Sequence, residues 1–382
     1  MVTLNSADNA LKSFYLDAIT ETLNSKINPF LSKVEKTSKN VTGKDVRACI
    51  SNGFNGGIAS GSEDGSLPTA QNRTHRQIVA PLKNFYGTFE ISDKAIRASA
   101  SNEGAFVNLL NDEMKSLVES AKFNFGRMLF GDGSGRLGTI LGNESGGFAM
   151  DSVRNLAPDM VVDIISDDVF IENVKIKAID YANKIMYPTD ERSDYNMQTE
   201  AGVFLHGARN SDLTGLEAIF KSEDLYGLDK TEFGGMPYQK TVEGYINDND
   251  LWDVIDGIEE ASGKKVDMII CSWKGKRKLT EWFRDMAIPL PTMTLENGEK
   301  AVDFYGIPVV VDKFCPEDTM YFLNTDSFKL YQLCDWQWLE TEDGKILKQI
   351  PGKPVYTATL VKYAELICEN IAAQGVIRGI GD

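Results

Sequence analysis

The feature that most constrains this chain is a glycine-rich interruption between two β-rich runs. Residues Val46–Ile50 have the apolar character of a strand, and Gln77–Glu90 is a second β-rich run. Between them, over residues 51–70, lies SNGFNGGIASGSEDGSLPTA, with glycine at 53, 56, 57, 61 and 65. Strand, long glycine-rich tip and strand predict an extended hairpin. Such a tip has few side chains with which to bury itself. Two readings follow: a mobile surface loop, or a projection that becomes ordered against a neighbouring subunit.

The strongest helical signal follows directly, over Ser101–Phe130. Phe106, Leu110, Met114, Leu117, Ala121, Phe125 and Met128 are spaced by three or four residues, which is the period of one helix face. Ser101 or Asn102 can cap the helix, Glu103 suits its first turn, and Gly131, Gly133 and Gly135 stop it. At 1.5 Å per residue it is roughly 40 Å long, enough to span a whole domain. An earlier helix is predicted to start at Asn5 or Ser6, with Leu11, Tyr15, Ala18, Ile19 and Leu23 on one face and Pro29 ending it. The polar stretch from there to about Thr42 reads as an arm lying across something else.

The middle of the chain mixes elements. Val161–Ile165 is a short apolar run, Ile171–Ile185 has helical character and Val203–His206 reads as a strand. Asp248–Ser262 predicts an amphipathic helix, Val266–Cys271 a buried strand and Trp273–Met286 a helix; Phe304–Asp312 and Met320–Leu323 are strands. The last part is β-rich, with strands over Phe328–Leu339, Ile346–Ile350 and Val355–Cys368. There is no internal repeat. The fold class is α+β.

Composition narrows the chemistry. The formal net charge of −16 argues against free nucleic-acid binding, which uses basic faces, but does not exclude enclosing nucleic acid. The five cysteines include no Cys-x-x-Cys pair, so free buried thiols are expected. No run is long and apolar enough to span a bilayer, and the first residues lack the pattern of a secretory signal; folding in a cytoplasm is expected. The two histidines, His75 and His206, have no acid or nucleophile at a familiar spacing, and no Gly-x-Ser-x-Gly elbow occurs. Gly133–Gly138 fits G-x-G-x-x-G, yet a helix precedes it where a dinucleotide site needs a strand. Asp163, Asp167 and Asp168 could hold a divalent cation, but a solvated turn is the simpler reading. No catalytic, cofactor-binding or metal-binding residue is assigned.

One dense basic patch stands out, Lys274, Lys276, Arg277 and Lys278 beside Trp273. It reads as a solvated helix face, as ion pairs between subunits of an acidic chain, or as a contact with packaged DNA. Trp273, Trp282, Trp336 and Trp338 are expected in the core or at interfaces.

The order of these elements resembles the major capsid proteins of tailed bacteriophages, which have the Hong Kong 97-like fold. Local phrases carry the likeness. Glu63-Asp-Gly-Ser-Leu-Pro68 looks like the tip of the family's E-loop. Phe85-Tyr-Gly-Thr-Phe-Glu-Ile-Ser92 and Ala95-Ile-Arg-Ala98 look like the run into its spine helix. Leu129-Phe-Gly-Asp-Gly-Ser-Gly-Arg-Leu137 looks like the turn after the spine, and Leu213-Thr-Gly-Leu216 with Leu225-Tyr-Gly-Leu-Asp229 like a middle-lobe phrase. Asp151–Thr199 has the fewest such phrases.

The resemblance implies an N-terminal arm over 1–42, an E-loop hairpin over 43–92, and a P-domain with the spine helix over 93–150. A mixed α/β A-domain would follow over 151–327, with return strands to the P-domain and the C-terminus over 328–382. It implies a structural protein that assembles with itself as hexamers and pentamers into an icosahedral shell around double-stranded DNA, without sequence-specific binding or a membrane. The E-loop tip (Gly53, Phe54, Gly57, Glu63, Asp64, Leu67, Pro68) would contact a neighbour. The spine would use Phe106, Leu110, Met114, Leu117 and Phe125. With about 42 residues before the E-loop, a separate scaffolding protein, or none, is expected, together with a portal; the shell would form in a bacterial cytoplasm and end in the virion. An encapsulin-type compartment shell shares the implied fold. A soluble hydrolase with a carboxylate pair under a glycine-rich lid is the alternative of a different class.

Overall fold

The structure is a computed structural model. It describes residues 28–53, 55, 57–65, 67–69, 72–95, 103–144, 146–166, 170–189, 200–287, 289–295, 298 and 300–381, and side chains are described for all of these except 51, 52 and 103–111. The helix expected from Asn5 or Ser6 lies outside the described residues. Two compact units divide the chain. One takes the described residues up to Lys122 with Ile219–Asp312 and Pro316–Asp382, and the other takes Phe123–Ala218 with Lys313–Cys315.

The first unit holds three main sheets. Asp45–Asn52 pairs antiparallel with Thr74–Pro81, and Val41–Thr42 pairs on its other side. Val46, Ala48 and Ile50 are buried with Ile78 and Ala80, so alternation fixes which face turns inward. Gln77–Glu90, expected as one run, is two strands. Thr74–Pro81 belongs to this hairpin, while Lys83–Ser92 pairs with the long strand Val355–Cys368 in a separate sheet. Pro81 has no N–H to continue the ladder, so the chain changes partner there. In that second sheet Val355–Cys368 also pairs with Phe328–Trp338 and Lys348–Gln349.

Glu35–Thr37 adds a parallel strand along Lys329–Tyr331 at the edge of the second sheet. Just before it, Pro29–Lys33 forms a short helix. Pro29, expected to end a helix that lies outside the described residues, opens this one. At the first helical position its missing N–H costs nothing, and Asn28 caps by accepting from the Phe30 N–H at 2.6 Å. Phe30 and Leu31 are buried, with the Phe30 ring edge-on to Phe328 at 5.0 Å. Asn28 also donates to Asp312. Residues 28–37 are thus packed into their own chain.

The third sheet has seven strands in the order 238–241, 375–378, 320–323, 268–271, 307–311, 300–304, 292–294. Helices Asp248–Ser262 and Trp273–Asp285 bury Leu251, Val254, Ile258, Leu279, Trp282 and Phe283 in one core with Ile269, Val309 and Phe322. Both match the helices read from spacing. Phe304–Asp312, expected as one strand, is cut by a two-residue turn. Tyr305 and Gly306 have φ of 50° and 90°, the left-handed pair a tight hairpin needs. Of Ile346–Ile350 only Lys348–Gln349 is in strand.

The second unit is a closed six-stranded barrel of Arg136–Glu144, Gly147–Met150, Val161–Ile165, Phe170–Asp180, Ile185–Pro188 and Ala201–Leu205. Leu137, Ile140, Phe148, Val162, Ile164, Ile176 and Val203 are among the side chains that fill it. Ile171–Ile185, expected to be helical, is mostly the strand Phe170–Asp180. Its register shifts opposite Val162/Ile164 and again opposite Tyr187/Pro188. Asn173 has a φ of 60° at the first shift. Each bulge inserts one residue into an alternating strand, so the apolar positions 171, 174, 176 and 179 fall at steps of three, two and three, which imitates a helix.

Candidate functional site

The hairpin tip is the first candidate. Described tip residues Gly53, Ile58–Gly65, Leu67 and Pro68 are exposed, while Gly57 is half-buried. Ile58 is 77% and Leu67 91% exposed. Phe54 lies outside the described residues. Gly53 has a φ of 90°, which glycine adopts without strain. The hydrogen bonds of the tip are local: Gly57 N–H to Asn55 Oδ1 at 2.9 Å, and Gly65 N–H to Ser62 C=O at 3.0 Å. Glu63 and Asp64 give it an acidic edge. The paired strands are tied down instead, by their buried face and, nearer the tip, by Arg76 paired to Glu232 at 2.5 Å. The hairpin thus combines a buried strand face with an exposed, partly apolar tip.

The long helix runs over Glu103–Met128. Met114 and Phe125 are buried, Leu117 is half-buried, and the Phe106 and Leu110 side chains are outside the described ones. A Cβ on Gly87 would lie 2.9 Å from Leu117 Cδ1, so the glycine of the Phe85–Ser92 phrase is what lets strand and helix approach. Beyond the helix, in the second unit, a Cβ on Gly215 would come within 2.7 Å of the carbonyl oxygens of Met128, Leu129 and Gly131. Leu216 N–H bonds to Leu129 C=O at 2.8 Å, and buried Arg127 pairs with buried Asp212. The phrases around Leu129–Leu137 and Leu213–Leu216 are two sides of one helix-end lock.

The basic patch lies on Trp273–Asp285, whose first turn is capped by Ser272 Oγ accepting from Gly275 N–H at 3.0 Å. Arg277 is exposed, and Lys274, Lys276 and Lys278 are half-buried. Lys278 pairs with Glu281 at 3.4 Å. Trp282, Trp336 and Trp338 are buried, whereas Trp273 is 62% exposed and so is not a core residue of its own subunit.

Asp163 accepts from His206 Nδ1 at 2.8 Å, from the Gly207 N–H at 3.0 Å and from the Asn173 N–H at 3.1 Å. The last bond satisfies the donor that the bulge at Asn173 frees from its ladder. Burial pushes the Asp163 value up, but the bonds from His206, Gly207 and Asn173 outweigh it and hold it below the ordinary 3.8. Asp167 and Asp168 lie outside the described residues, among which no group of three His, Cys, Asp or Glu side chains could hold a metal. All five cysteines are free; Cys271, Cys315 and Cys368 are buried, while Cys49 is exposed on the outer face of its strand. Burial pushes the Cys271 thiol up to about 12, the opposite of a reactive thiolate. Lys362 was not singled out by its sequence context. It is fully buried, donates to Gln332 at 2.9 Å and Asp335 at 2.6 Å, and its value is lowered chiefly by desolvation. No described helix is long and apolar enough to cross a membrane.

No family model matches the chain, and no curated protein sequence matches it. Solved structures do. The chain is similar to a protein of the cyanophage A-1(L) capsid asymmetric unit, with a TM-score of 0.56 at 11% identity over 96% of this chain and 93% of that one. Other matches are the SrpI encapsulin of Synechococcus elongatus PCC 7942 (TM-score 0.49, 11% identity, 93% and 89% covered) and a native GTA particle capsid (0.47, 11%, 91% and 89%). The chain has the Hong Kong 97-like capsid fold. At 11% identity the likeness to the cyanophage capsid protein is one of fold.

Proposed function

We propose that this chain is the major capsid protein of a tailed bacteriophage, assembling as hexamers and pentamers into an icosahedral shell around double-stranded DNA. In this reading the hairpin Asp45–Pro81 is the E-loop, Glu103–Met128 the spine helix of the P-domain, and the seven-stranded lobe the A-domain. A scaffolding protein and a portal are its assembly partners in a host cytoplasm, and the virion is its destination. The observation that carries the reading is the hairpin: tied-down strands and a tip whose apolar Ile58 and Leu67 are exposed, on a chain with a capsid fold. A surface like that is completed by another copy. An acidic wall also suits a container, since it leaves enclosed polyanion mobile.

Negative-stain imaging of the purified chain tests this. Closed shells or sheets of hexamers are the expected result, and a monodisperse monomer that turns over a substrate would overturn it. Particles from an infected or expressing host then separate the two shell types. DNA-filled heads fit a phage capsid, and shells loaded with a protein cargo fit an encapsulin.

A further inference from the structure

Strands Tyr238–Thr241 and Met268–Cys271 run in the same direction, and helix Asp248–Ser262 connects them. Met268–Cys271 is parallel to Ile307–Val311, and helix Trp273–Asp285 lies on the connection between those two. The inward side chains of both helices share one core with the same sheet face. Asp248–Ser262 lies over the strands at 238–241 and 375–378, and Trp273–Asp285 over those at 268–271 and 307–311. Two helices therefore lie side by side in one layer, each with an outer face.

Those outer faces have opposite charge. Asp248–Ser262 carries six acids and no base. Lys240 takes up Asp250 and Asp253 at 3.0 and 2.7 Å. Asp256, Glu259 and Glu260 are exposed, with no cation paired to them among the described residues. Trp273–Asp285 carries five bases and two acids. Trp273, Arg277 and Arg284 fall on one exposed stripe at i, i+4 and i+11. Among the described residues Arg277 has no acid partner, and Arg284 reaches only its neighbour Asp285, at 3.8 Å. Exposed tryptophan flanked by arginine is the composition of a contact centre.

We propose that the Trp273–Asp285 face of one copy docks on the Asp248–Ser262 face of the next, head to tail around the capsomer. The proposal rests on the shell-protein reading and names one of its contacts. The two patches are different surfaces of one copy and complementary in charge. A contact that joins unlike patches propagates, and it closes into a ring where the rotation allows. In a chain with a net charge of −16, this helix supplies a local cation patch on which an acidic face of another copy can settle.

Two charge-reversed variants test it. Variant one carries Arg277→Glu and Arg284→Glu; variant two carries Asp256→Arg and Glu260→Arg. All four side chains are exposed, so both variants keep wild-type circular dichroism and melting. Each alone presents like charge on both faces, and ring formation measured by sedimentation and native mass spectrometry falls roughly tenfold or more. Mixed, the two attract, and every ring alternates between them. Rings with an even number of copies close and rings with an odd number cannot. The mixture therefore gives hexamers and hexamer sheets but no pentamer-containing shells, and these dissociate as salt approaches about 1 M.

Normal shells from either variant alone would sink the contact and leave the shell reading standing. Even-numbered rings from the mixture, with no wild-type shell under any condition, would keep the contact and sink the shell reading. A mixture that does not associate, or that stops at a closed heterodimer, overturns the head-to-tail contact. So does a loss of bound DNA in variant one with variant two unaffected, which would give the basic face to phosphate.

Discussion

The closed barrel and the glycine-tipped hairpin handle the same polypeptide problem in opposite ways. In the barrel every strand has two neighbours, its core is filled from within, and even the donor freed by the bulge at Asn173 finds Asp163. In the hairpin the two strands are well paired, yet among its described residues the tip makes local hydrogen bonds and leaves Ile58 and Leu67 in water. One region is finished inside a single chain, and the other leaves apolar surface exposed. Substitutions in the barrel unit should therefore register in subunit stability, and changes in the tip should register in assembly.

The largest stability effect is expected at the end of the long helix. Asp212→Ala leaves the Arg127 guanidinium buried without its counter-ion and should cost about 3–5 kcal/mol in chemical denaturation. A loss under about 1 kcal/mol, as at a surface ion pair, would mean that the pair is solvated in solution. Gly215→Ala comes next. Its Cβ would press on three backbone carbonyls that cannot swing aside, so overpacking should cost roughly 1–3 kcal/mol. An unchanged melting curve would show that the lock is loose.

Asp163→Asn should cost about 1–3 kcal/mol by weakening the bonds that pin the bulge and the turn at Gly207. It also has a pH signature. The folded value of Asp163 is depressed below 3.8, so its contribution is fully present above that value and is lost as pH falls through the folded one. Wild type should lose barrel stability on acidification below pH 3.8, and Asp163→Asn should flatten that slope. Equal acid slopes in the two proteins would refute the assignment. The smallest effect on the subunit, and the largest on assembly, belongs to deleting residues 53–70 and closing the strands with Asn-Gly. Unfolding free energy should move by less than about 1 kcal/mol, since loop length enters only logarithmically. Shells should fail to close, and particles as stable as wild type would break the contrast between the two regions.

Much of the fold was readable because it is written in short-range pattern. Asp248–Ser262 and Val355–Cys368 match their expected bounds, and the long helix ends within two residues of its expected end. The misreadings have local causes. Two bulges give a strand the spacing of a helix, and the short helix Pro29–Lys33 lies in a stretch whose polar composition reads as an arm. Pairings such as Arg76 with Glu232 or Arg127 with Asp212 join residues far apart in the chain, so no spacing rule could propose them. The exposed tip was legible from its glycines. The charge opposition of the two lobe helices was present in composition and became meaningful only when both were seen to share one sheet face.

The position of Gly375–Arg378 carries a further consequence. This strand is the last of its sheet in the sequence, yet it lies inside, parallel to Tyr238–Thr241 and antiparallel to Met320–Phe322. Until residue 378 has been synthesised, the strand at 238–241 has no neighbour and the helix above it lacks part of its floor. Translation order thus acts as a timer. The lobe that carries both charged helices is complete only once residue 378 has been made.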